Sequence, residues 1–166
     1  MKREIQASPS PLRVTDQFTV TSEGDYQCQL WREGAPTGIR LDGAKLQAAV
    51  AWLDLFLLVI TDENGYEDFV NLHLLDAHLK ILDTASVGSP YNSGQFGGLA
   101  LAPPNQLTFS FPGEAHAWRI TLYEKPRLSR PLLPFSGVWR SLTIRRHFDV
   151  RMVSQSAKGG GKAVKL

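Results

Sequence analysis

The chain has 166 residues, a formal net charge of +2, 43% hydrophobic residues and 20% charged residues; this fits one folded domain and excludes a wholly disordered chain. A single cysteine, Cys28, excludes an internal disulfide framework. The longest apolar run, Leu55 to Ile60, is far shorter than the ~18 residues of a membrane helix, and no apolar segment follows Met1-Lys2-Arg3-Glu4, so neither a membrane span nor a secretory signal is expected.

Ser8, Pro9, Ser10 and Pro11 mark residues 1–13 as a flexible leader. Phe18 and Val20, among Thr15, Thr19 and Thr21, suit a first strand, and Glu23-Gly24-Asp25 suits a turn. Tyr26, Cys28 and Leu30 alternate with Gln27, Gln29 and Trp31 as a second strand, followed by a turn over Gly34 to Gly38 that contains Pro36. Ile39 and Leu41 lead to Asp42-Gly43, a favoured hairpin dipeptide. Leu46, Ala49, Val50 and Leu53 also match a helical spacing, but strands on both sides favour a strand over Ala44 to Leu53.

Asn64-Gly65 predicts a two-residue type I′ turn between strands 55–63 and 66–75, because this dipeptide best tolerates positive φ at both central positions. That turn would set Thr61 opposite Asp68, Val59 opposite Val70, Leu57 opposite Leu72 and Phe56 opposite His73. One face is then apolar away from the turn, and a one-residue slip would mix the faces.

Asp76 to Leu79 reads as a turn before a strand from Lys80 to Val87, and Gly88 to Gly98 as an irregular loop. Leu99 and Leu101, then Leu107, Phe109 and Phe111, then Trp118, Ile120 and Leu122 mark three further strands, separated by turns at Pro103-Pro104-Asn105 and Pro112-Gly113-Glu114. Pro126, Pro131 and Pro134 predict an irregular connection. Alternation resumes over Val138 to Val153, with Leu142, Ile144, Phe148, Val150 and Met152 on one side. Arg146 falls among these apolar residues, which predicts an edge strand or a bend. Ser154 to Leu166 holds three consecutive glycines and three lysines and reads as a disordered basic tail.

These segments predict a mainly β fold: a single antiparallel β-sandwich or partly open barrel built from hairpins over residues 14–153, with at most one or two short helices. Charge divides unevenly along it. Residues 1–124 carry eight Lys and Arg against fifteen Asp and Glu, whereas residues 125–166 carry ten against the lone Asp149. Neutralisation of an acidic body by a basic end is the simplest reading; recognition of an acidic partner or nucleic acid is the other.

Candidate chemistry is sparse. His73 and His78, near Asn71 and Asp76, lack a converging ligand spacing, so no metal or other cofactor is expected; His73 is expected to pack against Phe56 and His78 to be solvated. Cys28, on an alternating strand, reads as a small core residue. Neither Gly94 to Gly98 nor Gly159-Gly160-Gly161-Lys162 has the strand, helix and Ser/Thr context of a phosphate loop. No nucleophile elbow is present, and a dispersed catalytic triad leaves no local pattern.

Three surface features remain. Asp62, Glu63, Glu67 and Asp68 form an acidic hairpin tip, solvated or in contact with a basic partner, without the spacing of a calcium loop. Arg140, Arg145, Arg146 and Arg151, with Trp139, His147 and Phe148 interleaved and Lys158, Lys162 and Lys165 beyond, form a basic stripe. Tyr91, Asn92 and Phe96 lie in the Gly88–Gly98 loop, a place for a small-ligand or enzyme site with His73 as a further polar group. The favoured expectation is a cytoplasmic, non-catalytic interaction module that binds a protein partner through charged β surfaces, with self-association open. Nucleic-acid binding by the basic stripe and a ligand site at the loop are the alternatives.

Overall fold

The computed structural model describes residues 11–89, 91, 93–114, 116–129, 136–141 and 143–153. Among these there is no helix, and thirteen strands form three antiparallel sheets, none closed into a barrel. The largest sheet has the order β1 (Arg13–Val14), β5 (Lys45–Trp52), β6 (Leu55–Thr61), β7 (Val70–Leu75), β8 (Ile81–Val87) and β12 (Val138–Trp139). The second holds β2 (Phe18–Ser22), β3 (Gln27–Arg32) and β4 (Ala35–Asp42). The third has the order β13 (Arg145–Val153), β11 (Ala117–Leu128), β10 (Gln106–Ser110) and β9 (Gly97–Ala102).

The fold is sandwich-like, with the six-stranded sheet as the middle layer. Val50, Leu57, Val59, Leu72 and Leu74 share one core with Phe109, Trp118, Ile120 and Phe148 of the four-stranded sheet. Ala49, Ala51, Phe56, Leu58 and Ile60 share a second core with Phe18, Cys28, Leu30 and Leu41 of the three-stranded sheet. Every residue of β7, and every residue of β6 from Phe56 onward, is therefore buried. The nearly unbroken apolar run of β6 is the pattern of a strand covered on both faces.

Several local expectations are corrected. Thr61 pairs with Val70, Val59 with Leu72 and Phe56 with Leu75, two residues away from the pairing that an Asn64-Gly65 type I′ turn would impose. Asn64 lacks the positive φ that this turn requires, whereas Gly65 has it. Instead, Asn64 Oδ1 accepts the N–H groups of Tyr66 and Glu67, both at 2.8 Å, and Asp62 N–H donates to the Phe69 carbonyl, making a wide loop. A shift of two keeps every side chain on its expected face, so the hydrophobic pattern alone does not distinguish the registers. His73 consequently sits opposite Leu58 rather than Phe56.

Asp42-Gly43 is a crossing between layers, not a hairpin, since β4 and β5 belong to different sheets. Gly43 has φ +104° and donates to the Tyr26 carbonyl at 2.7 Å. A Cβ there would lie 2.4 Å from Ile60 Cγ2, so the close approach admits only glycine. Pro36 lies within β4 opposite Trp31, and the preceding turn is carried by Glu33 and Gly34, both at positive φ. β11 continues through Pro126 to Leu128, where an irregularity between Leu122 and Arg127 accommodates the missing N–H; Pro131 and Pro134 lie outside the described residues.

Val138 to Val153 is not one strand, because β12 joins the middle sheet and β13 the four-stranded sheet. Phe148 and Val150 are buried, but Ile144 and Met152 are exposed; Leu142 is outside the described residues. The ordered body also reaches further back than a leader of 1–13 implies, with Leu12 buried and Arg13 paired with Ala51. Residues 1–10 and the basic tail are outside the described residues.

Candidate interaction surfaces

The arginines of the basic stripe divide into two groups. Arg140 and Arg146 converge on Asp83 of β8, at 3.5 and 3.6 Å, and the Arg140 and Asp83 side chains are only 4% and 2% exposed. Asp83 Oδ2 also accepts the His147 N–H at 2.8 Å, and Oδ1 accepts the Thr84 N–H at 2.9 Å. Arg140 stacks over the Phe148 ring and donates to the Phe148 carbonyl at 2.9 Å. Arg146 donates to Thr143 Oγ1 and to the Ser141 carbonyl. Burial lowers the Arg140 pKa, and the Asp83 charge opposes that shift. This centre ties β8 to β13 at the border of two layers, leaving Arg140 and Arg146 little charge to offer a partner. Asp83 was legible in principle, since it shares parity with the buried Ala85 and Val87.

Arg145 and Arg151 are exposed. Arg151 belongs to the outer face of the four-stranded sheet, directly opposite Arg119 of β11. Like charges facing each other across strands repel. Asp149, one pair further along and opposite Thr121, binds Arg151 at 2.6 Å. At the other end of this face Arg127 lies over the Tyr123 ring, 4.1 Å from its centroid. A shallow groove of about 310 Å³ runs between these groups, floored by Thr121 and Gln106. The alternation of Arg119, Thr121 and Tyr123 with buried Trp118, Ile120 and Leu122 marks this face in the sequence; Arg127 was hidden by the break expected at Pro126.

The acidic tip is also divided. Asp62 is buried, accepting the Asn71 side-chain amide at 2.8 Å and the Phe69 N–H at 3.3 Å. Burial raises its pKa to about 6 despite these hydrogen bonds, which lower it. Asp68 accepts the Asn64 and Gly65 N–H groups and so organises the loop. Glu63 lies 3.9 Å from Lys45, and Glu67 is half-buried. An open groove of about 510 Å³ separates this loop from Gly94, Gln95 and Phe96.

In the Gly88–Gly98 loop, Tyr91 is almost fully exposed, whereas Phe96 packs against Phe109 at 5.1 Å between centroids. Asn92 lies outside the described residues. His73 is buried on β7 between Leu58 and Thr84 of the neighbouring strands, its Nε2 2.9 Å from the Asp42 carbonyl and its Nδ1 without a hydrogen-bond partner among the described residues. Burial lowers its pKa, against opposing effects of the Asp42 carbonyl and charge. Burial likewise raises the Cys28 thiol to about 11, as an unreactive core thiol requires. Among the described residues no group of three or more His, Cys, Asp or Glu could hold a metal ion, and no helix is long and apolar enough to cross a membrane. Comparison of the chain with protein-family models, with curated proteins and with solved structures finds no match.

Proposed function

We propose that this chain is a non-catalytic interaction module that binds a protein partner through the basic outer face of its four-stranded sheet. The observation that carries the reading is the exposed Arg119–Arg151 pair, two cations held opposite each other with Asp149 bound to only one of them. Such a surface is completed by negative charge from outside, which lends both association rate and selectivity. A cytoplasmic setting belongs to the same reading.

Quantitative affinity capture with the wild-type chain and with the Arg119→Glu/Arg151→Glu double variant tests it. At least one protein retained by the wild type is expected to be lost by the variant. Equal capture by both, or turnover of a metabolite by the purified chain, would remove the reading.

A further inference from the structure

We infer that the groove on the outer face of β11 and β13 takes an extended acidic segment whose carboxylates are four residues apart with a neutral residue midway. This rests on the interaction-module reading and adds the partner's chemistry and spacing. Arg119 and Tyr123 lie on the same side of one strand, four residues apart, which at ~3.3 Å per residue is about 13 Å. The Arg127 guanidinium sits over Tyr123, so Arg119 and Arg127 supply a cation toward each end of that stretch of the groove. In an extended peptide, side chains on one face recur every second residue, and the first and fifth are also about 13 Å apart. A peptide laid along the groove therefore brings two carboxylates to two guanidiniums.

The middle of the groove has different chemistry. Gln106 donates to Thr121 Oγ1 at 3.2 Å, and Asp149 is the cross-strand partner of Thr121. A third acid at the midpoint would face the Asp149 carboxylate, whereas serine or threonine would meet hydrogen-bonding groups. Nucleic acid fits less well. Among the described residues Tyr123 is the aromatic residue of this groove, and Arg127 already covers a face that base stacking would need. A run of phosphates would also bring negative charge to Asp149.

Fluorescence anisotropy on the full chain tests this with a labelled peptide carrying two glutamates four residues apart and only serine, threonine and glycine elsewhere. Binding is expected to weaken about fivefold with either Arg119→Ala or Arg127→Ala, to recover in part with lysine at the same position, and to weaken with added salt. A third glutamate at the midpoint is expected to weaken it again. The inference is overturned if glutamates three residues apart bind as well, if the midpoint glutamate strengthens binding, or if a ten-nucleotide oligothymidylate binds more tightly. Absence of peptide binding, with partner capture still dependent on Arg119 and Arg151, overturns the spacing model alone; loss of both overturns the interaction reading too.

Discussion

Arg140 and Arg151 come from one basic stretch of chain and have opposite fates. Arg140 is almost fully enclosed, held by Asp83, the Phe148 ring and a backbone carbonyl, while Arg151 is 69% exposed with Asp149 beside it. The difference teaches that a basic run is not a basic surface. In the first place the charge is consumed in joining two sheet edges, and in the second it stays available to a partner.

Removing Asp83 is the strongest way to break this contrast. Asp83→Ala leaves two guanidiniums facing each other without their shared anion and is expected to destabilise the fold by about 3–5 kcal/mol in urea denaturation. Replacing all three residues by apolar ones of similar volume is expected to recover most of that loss, because the cost comes from uncompensated buried charge. An Asp83→Ala chain that unfolds at the wild-type urea concentration would show that the centre does not hold β8 to β13.

The crossing at Gly43 joins layers by shape instead of charge. Gly43→Ala combines a clash with Ile60 and a strained positive φ, and a loss of about 2–3 kcal/mol is expected. A thermal melt unchanged by this substitution would contradict the close approach.

Asp62 supplies a smaller, pH-dependent effect. Its folded pKa of about 6 lies above the ordinary value, so the folded state holds a proton that the unfolded chain releases near pH 4. The stability from this site is present below pH 4 and is lost as pH rises to about 6, a fall of about 2 kcal/mol. His73 has the opposite slope, since its lowered pKa makes acid favour the unfolded chain. Comparing wild type with Asp62→Asn isolates the Asp62 contribution: the difference in unfolding free energy should grow in the variant's favour between pH 4 and 6, and a constant difference would refute it.

The smallest stability effect is expected at the exposed arginines. Arg119→Ala and Arg151→Ala should each change unfolding free energy by less than about 0.5 kcal/mol, as measured by denaturant titration. A larger loss would move these residues to the structural side of the comparison.

Much of the fold was legible in particular residues. Cys28 and Leu30 alternating with glutamines, and Trp118, Ile120 and Leu122 alternating with Arg119 and Thr121, place strands and their buried faces by periodicity alone. The candidate surface was legible in part. The basic C-terminal region and Arg151 were visible, but the misplaced arginine at 146 needed Asp83 to explain it, and Arg127 needed a strand that survives Pro126.

Side-chain periodicity, a property of each strand alone, determined that this chain builds sheets and which residues turn inward. Tertiary structure decided that Leu58 and Ile60 are covered by a third layer, that the β6–β7 pairing is displaced by two, and which arginines remain in water. Those outcomes depend on contacts between segments distant in sequence: backbone register is indifferent to a shift of two, and a guanidinium carries the same charge in a core as on a surface until its neighbours are known.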